Sequence, residues 1–186
     1  MGSRRTVAAA AVALGLAAAV PSAASAEERT CRGTIGTVTV DNLRVPQGAS
    51  CTLNGTRAQG TVKVERNATL YAFGVRVIGN IQAENARSVN VFAAWIGGSV
   101  QVKQGGGARV DQNTVNGDIQ FDSNRSSLSA ARNDVGGSIQ VFQNRGGVGI
   151  TRNTVDGNLQ CKENQPPPTG GGNVVQGNKE DQCARL

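Results

Sequence analysis

Seven glycines, Gly60, Gly79, Gly98, Gly117, Gly137, Gly157 and Gly177, recur at intervals of 19 or 20 residues, and most of them open a Gly-x-Ile/Val/Leu-Gln run. A period near 20 with one short apolar strand per copy marks a solenoid, because no copy can bury its apolar face without a neighbour stacked on it. The cadence therefore constrains the fold before any chemistry is considered.

Registering the chain on these glycines turns it into columns. Two residues after them stand Val62, Ile81, Val100, Ile119, Ile139 and Leu159, and four after stand Val64, Ala83, Val102, Phe121, Val141 and Cys161. Period-two spacing puts both columns on the inner face of one strand. Ala58, Val77, Ile96, Val115, Val135, Val155 and Val175, two before each glycine, feed the same core from a second strand. Pairs running from Cys51 with Leu53 to Val148 with Ile150 mark a third. Three short strands per coil, joined at Gly, Asn and Asp corners, predict an all-β, single-domain, triangular parallel β-helix of about seven coils. The long coil and the absence of strict hexapeptides favour a right-handed turn. A leucine-rich repeat shares the period, but its Leu-x-x-Leu-x-Leu signature and helical segment are missing.

Asn113, Asn133, Asn153 and Asn173 occupy positions where earlier coils carry Val75 and Ala94, so they are expected to face inward as a stacked asparagine ladder at a corner. Asparagine at such a corner also tolerates left-handed backbone angles. Asn124, Asn144 and Asn164 are expected to do the same at another corner. Outward positions hold a glutamine column, Gln82, Gln101, Gln120, Gln140 and Gln160 headed by Lys63, beside a mixed column of Thr61, Asn80, Ser99, Asp118, Ser138 and Asn158. Paired glutamines satisfy one another without a ligand, so this flat polar face reads as structure first and as a polymer-docking surface second.

Ahead of the coils, Arg4 and Arg5 precede an Ala-rich apolar stretch from Val7 to Val20 and the small-residue run Ala24-Ser25-Ala26. This is the pattern of a cleaved secretory signal over 1–26, with a faint twin-arginine alternative, and it predicts a secreted, extracellular product with no membrane span. Two of the 19 basic residues fall in that leader, which leaves 17 against 13 acidic. So mild an excess, with arginines scattered and unaccompanied by aromatics, speaks against nucleic acid as a partner. The chain has no histidine, which excludes His-based triads and His metal ligands, and no catalytic residue, metal or cofactor is expected.

Four cysteines, Cys31, Cys51, Cys161 and Cys183, lie two near each end of the array. Three pairings are possible in an oxidising compartment. The separations of 20 and 22 residues are each close to one coil and favour Cys31–Cys51 and Cys161–Cys183. Gln160-Cys161 and Gln182-Cys183 read as equivalent if the last coil has a two-residue insertion, whereas taking Gly36 as an earlier coil start leaves Cys31 outside the Cys51 column. A Cys₄ zinc site is the weaker alternative, since CxxC spacing is missing. The Gly36 to Gly60 interval swells to 24 residues, so Val45 to Ser50 reads as an inserted loop capping that end. Pro166 to Pro168 and Gly170 to Gly172 read as a loop before the last partial coil. The expected division is a leader over 1–26, a cap and first partial coil over 27–50, coils over 51–164, and a closing loop and partial coil over 165–186.

The candidate binding surface rests on aromatic placement. Tyr71, Phe73, Phe92 and Trp95 fall in two adjacent coils, outward by strand parity or at a corner, and Arg76 shares the Trp95 column. Aromatic faces beside a guanidinium suit sugar rings; cover by a loop or a second subunit is the structural alternative.

The Val-x-Gly-x-Ile/Val coils from Cys51 to Cys183 resemble parallel β-helices of the pectate-lyase-like kind and those of bactofilins, polymer-forming bacterial solenoids. The chain as a whole is most similar to small secreted β-helix proteins of actinobacteria. The lyase resemblance implies a calcium site of several carboxylates with a basic residue beside it, for which Asp111, Asp118 and Asp122 are available in one coil, although no carboxylate cluster builds up across coils. The bactofilin resemblance implies filaments, from which secretion and stapled ends depart. The expectation is a secreted, non-enzymatic structural or binding module for carbohydrate or a cell-wall polymer, monomeric or weakly self-associating. A polysaccharide-acting lyase or hydrolase is the second reading and a self-assembling surface protein the third.

Overall fold

The computed structural model describes Gly2 and residues 27–186, and the expected leader lies outside the described residues apart from Gly2. Every coil repeats one unit, seen in the strands Ile81–Glu84, Ser88–Phe92 and Trp95–Ile96. Corresponding strands of successive coils pair in parallel, which builds three sheets of nine, eight and eight strands in unbroken order. The chain is thus a three-sided parallel β-solenoid of eight turns, one more than the glycines mark. The first sheet carries the glutamine column, the second the Tyr71 and Phe92 strands, and the third the short strands that precede each glycine.

The inward columns fill the interior. Leu43, Val62, Ile81, Val100, Ile119, Ile139 and Leu159 follow one another through the first sheet and are fully buried. Phe121 is the largest buried side chain among the described residues. Every other core residue is aliphatic or a cysteine, so the interior is narrow and evenly filled.

The glycine column owes nothing to special backbone angles, since none of its seven members has a positive φ. Close stacking demands it. A Cβ on Gly79 would lie 2.8 Å from the carbonyl of Gly60, and the amide of each glycine donates to the glycine one coil earlier, as in Gly98 to Gly79 at 2.9 Å and Gly157 to Gly137 at 2.8 Å. This also explains the uncounted turn. Asp41 occupies the same position in the first full coil, with the Gly60 amide donating to its carbonyl at 2.8 Å and its own Oδ2 accepting from the Glu27 N–H at 3.3 Å, so that turn carries no glycine to count.

Both expected loops are corrected by the pairing. Val45 aligns with Val64 and Ser50 with Thr69, each 19 residues apart, so Val45 to Ser50 is an ordinary strand end and corner; the swollen interval came from taking Gly36 as the coil start. At the other end Thr169–Gly171 is a strand of the second sheet, with Gly170 opposite Ile150, and only the Pro166 to Pro168 stretch remains loop. Cys161 lies opposite Asp181, which removes the supposed two-residue insertion.

Two disulfides close the ends, Cys31–Cys51 with Cα atoms 5.6 Å apart and Cys161–Cys183 at 5.2 Å. Their construction is symmetric. Cys51 and Cys161 sit in core columns, whereas Cys31 lies two residues before the residue aligned with Cys51 and Cys183 two residues after the one aligned with Cys161. Each staple therefore ties an off-register terminal turn to the regular stack.

Three ladders run up the corners. Two are the asparagine series, fully formed and buried: the Asn133 side-chain amide donates to the Asn153 Oδ1 at 2.9 Å and to the Val110 carbonyl at 2.9 Å, and its own Oδ1 accepts from Asn113. Asn124, Asn144 and Asn164 repeat the scheme. The left-handed angles fall on the residue before each asparagine, on Gln112, Arg132 and Arg152 in one series and on Ser123, Gln143 and Glu163 in the other. The preceding residue makes the turn; the asparagine satisfies the polar groups the turn leaves over. Thr56 begins the first series, its hydroxyl donating to the carbonyls of Ile35 and Gly36. The third ladder is the mixed outward column. Each member accepts an N–H from the next coil, as Asn80 Oδ1 does from Ser99 at 2.8 Å and Ser99 Oγ from Asp118 at 3.0 Å, so any short side chain with an oxygen serves.

Candidate functional site

Tyr71, Phe73 and Phe92 stand side by side on the outer face of the second sheet. Tyr71 and Phe73 alternate along one strand, Thr69–Phe73, and Phe92 lies directly opposite Phe73 on the next. The rings of Tyr71 and Phe73 are within 12° of parallel with centroids 6.5 Å apart, and the three residues remain 39%, 43% and 39% exposed. Strand alternation forces this display, since Leu70, Ala72, Val89 and Val91 take the inward positions.

Trp95 and Arg76 occupy a different face. Both belong to the third sheet, where they pair across adjacent strands, and the corner at Ala93 separates them from the shelf. The Arg76 guanidinium carbon sits 3.8 Å from the Trp95 ring centroid, and the edge of the indole lies over Gly97, so the stacking capacity of Trp95 is largely used within the protein. The structure thus divides the five expected residues into a free shelf of three and a self-satisfied pair.

The shelf is joined by polar residues that aromatic placement alone does not reveal. One coil on, Arg109 follows Asn90 in the Tyr71 column, and Asp111 lies opposite Phe92. The Asp111 side chain is 1% exposed, and its Oδ2 accepts from Arg109 Nη2 at 2.9 Å and from Arg132 Nη2 one coil further. The two guanidinium-bearing side chains stay 65% and 42% exposed. Asp111 Oδ1 has no partner. The sequence signal was their column: an Arg-x-Asp pair replaces Tyr-x-Phe at the same two outward positions. A depression of about 260 Å³ is lined by Tyr71, Phe73, Phe92, Arg109 and Asp111, among others, and a second of about 280 Å³ adjoins it through Asn90 and Arg109.

The other candidate groups are dispersed. Asp118 belongs to the third ladder, where it accepts from the Ser138 amide at 2.7 Å; Asp122 ends a first-sheet strand beside Ser123 at 2.7 Å; and Asp111 is on the second sheet. The glutamine column is two short ladders. Gln82, Gln101 and Gln120 form one that turns aside to Asp118, and Gln140, Gln160 and Glu180 form the other.

Fold and surface together define a disulfide-closed, three-sheet parallel β-solenoid with one exposed aromatic shelf on its second sheet. No protein-family model, curated protein or solved structure matches the chain. The paired cysteines are compatible with an extracellular protein, and among the described residues no helix is long and apolar enough to cross a membrane.

Proposed function

We propose that the protein is an exported, non-enzymatic binding module that holds carbohydrate, a cell-surface or cell-wall polymer, on the outer face of its second sheet. The observation that carries this reading is the shelf itself: three aromatic side chains, two of them nearly coplanar, held exposed on rigid strands. Sugar rings present apolar faces of C–H groups that pack on such planes, and a platform fixed by a β-stack loses little entropy on binding. The two disulfides and the Ala-rich amino-terminal stretch support the extracellular setting. Asp118 and Asp122 stand at opposite ends of one first-sheet strand and Asp111 lies on the second sheet, which leaves a hydrolase or lyase reading no close carboxylate pair among them.

A glycan array probed with the protein, with and without calcium, tests the proposal. Binding is expected in both conditions and is lost in Tyr71→Ala and Phe92→Ala variants that keep the wild-type circular dichroism. Release of shortened sugar products, or binding that both variants retain, overturns it.

A further inference from the structure

The charge beside the shelf narrows the ligand class, on the reading that the shelf binds carbohydrate. Two guanidinium groups share one carboxylate oxygen of Asp111, so the cluster carries a net positive charge. Asp111 is buried and turned away from solvent, while Arg109 and Arg132 are open to it. Burying a carboxylate is costly unless it is paired, and here it holds two long cationic side chains at the edge of an apolar depression. Each guanidinium keeps N–H groups that Asp111 does not use. An acid group on a ring stacked over Phe92 meets those N–H groups; a neutral sugar leaves their charge unanswered.

An independent feature lies two coils further along the same face. The outward column that holds Tyr71, Asn90 and Arg109 continues as Ser129 and then Gly149. Gly149 sits in the strand Val148–Thr151 without a positive φ, and a Cβ there would find its nearest neighbour, the Leu128 carbonyl oxygen, at 4.0 Å. Neither backbone angle nor crowding requires glycine, and glycine weakens a strand. In such a position it is commonly the mark of something approaching the backbone closely. The column runs from Tyr71 through Asn90 to Arg109 and beyond it drops to serine and bare backbone, a trough along the coil axis at roughly 4.8 Å per coil.

We propose that the outer face of the second sheet is a site for an extended acidic glycan lying along the coil axis. One sugar ring rests on the Tyr71, Phe73 and Phe92 shelf, an acid group is held by Arg109 and Arg132, and further units pass over Gly149. The recognised chemistry is an oxyanion carried on a sugar chain, whether carboxylate or phosphodiester.

Calorimetric titration of the protein with three probes decides the matter: neutral cello-oligosaccharides, hyaluronan oligosaccharides as the carboxylate source, and a glycerol-phosphate polymer bearing sugar substituents as the phosphodiester source. At least one acidic probe is expected to bind more tightly than the neutral one, with affinity that falls as salt rises. Arg109→Gln removes one of the two partners of buried Asp111, so it is tested in protein that keeps the wild-type circular dichroism, where it is expected to weaken acidic binding about tenfold and neutral binding much less. Gly149→Gln, which adds bulk without charge, is expected to weaken long acidic oligomers and spare short ones. Equal binding of neutral and acidic probes with a silent Arg109→Gln overturns the acidic assignment and leaves the carbohydrate reading standing. Equal loss of short and long oligomers in Gly149→Gln, or no loss of either, overturns the axial path. Failure of every sugar probe overturns both readings.

Discussion

The solenoid has two halves built on one coil plan with different corners. From Asn113 and Asn124 onward, buried asparagines at two corners pass hydrogen bonds from coil to coil. Before them, the same positions hold Thr56, Val75 and Ala94 at one corner and Ala49, Ala68, Ala86 and Gly105 at the other, all buried. The exposed aromatics show the reverse distribution: the shelf lies in the half with apolar corners. The halves meet around one stretch, where the ladders begin, Asp111 gathers its two arginines, and the coil lengthens from 19 to 20 residues between Asn124 and Leu128. The difference separates what the stack needs from what it tolerates. Packing closes a corner with alanine or valine as well as hydrogen bonding does with asparagine, so the ladders are one structural solution of two, and the aromatics, which serve neither, are the departure.

The sharpest test of that equivalence is Asn133→Val. It deletes the amide that serves Val110 and Asn153 and the oxygen that serves Asn113, all buried, and should cost about 3 to 5 kcal/mol in denaturant unfolding. Val75→Ala, at the matching apolar corner, should cost about 2 kcal/mol. Equal losses would show that the ladder contributes no more than packing, and the contrast between the halves would reduce to composition.

The end staples come next in size. Cys31→Ser opens a loop of about 20 residues and should cost about 3 kcal/mol on the loop-entropy account. Cys183→Ser should cost measurably less by the same assay, because Gln182 holds that terminal turn to Asn164 through three further hydrogen bonds. A larger loss at Cys183 would mean that the ladder half relies on its disulfide more than on its amides.

Glycines give a smaller contrast of opposite sign. Gly137→Ala brings a methyl within 2.9 Å of the Gly117 backbone and should cost about 2 kcal/mol. Gly149→Ala meets no atom closer than 4.0 Å and should raise stability by about 0.5 to 1 kcal/mol. Thermal unfolding of the two variants distinguishes a glycine the stack requires from one it does not. Destabilisation by Gly149→Ala would assign that residue a structural purpose and weaken the trough.

The core was legible because burial and stacking repeat: every inward column is a run of like residues at one spacing, and Phe121 or Cys161 in it stays apolar. The ladder asparagines were legible for the same reason, through exchange with Val75 and Ala94. The turn that precedes them was not, since Gln112, Arg132 and Arg152 in one series and Ser123, Gln143 and Glu163 in the other follow no residue type that favours a left-handed angle; that angle is imposed by the coils above and below. The amino-terminal end was misread because Asp41 fills the position that glycines hold in later coils, which hid the first full turn from the cadence. At the candidate site the aromatics were visible as exceptions to the columns, but their division between two faces depends on which side of a corner each falls, and Trp95 lies just past it. Arg109 escaped notice and Asp111 stood out only as one of three carboxylates in a coil, because neither is unusual alone; their meaning lies in Arg132, a coil away.

The smallest effect expected is with acid. At the first-to-second-sheet corner, the ladder half uses neutral amides, whereas near Pro46 the chain is held by Glu65, whose carboxylate accepts the Gln47 N–H at 3.0 Å and an Arg44 N–H at 3.2 Å. The Gln47 amide chiefly, and Arg44 after it, hold the Glu65 carboxyl below its ordinary value of 4.5 against the opposing effect of burial. The unfolded chain therefore takes up a proton at higher pH than the folded one. The stabilisation is complete above the ordinary value and is lost as pH falls through the lowered one. For a partly exposed group this is worth under about 1 kcal/mol. Hydrogen exchange followed below pH 4.5 should show the Gln47 amide losing protection while that of Asn124, bonded to the Asn144 side chain, keeps its own apart from the intrinsic change of rate. Glu65→Gln should remove the difference, and parallel loss at both amides in the wild type would show that the two halves respond to acid as one unit.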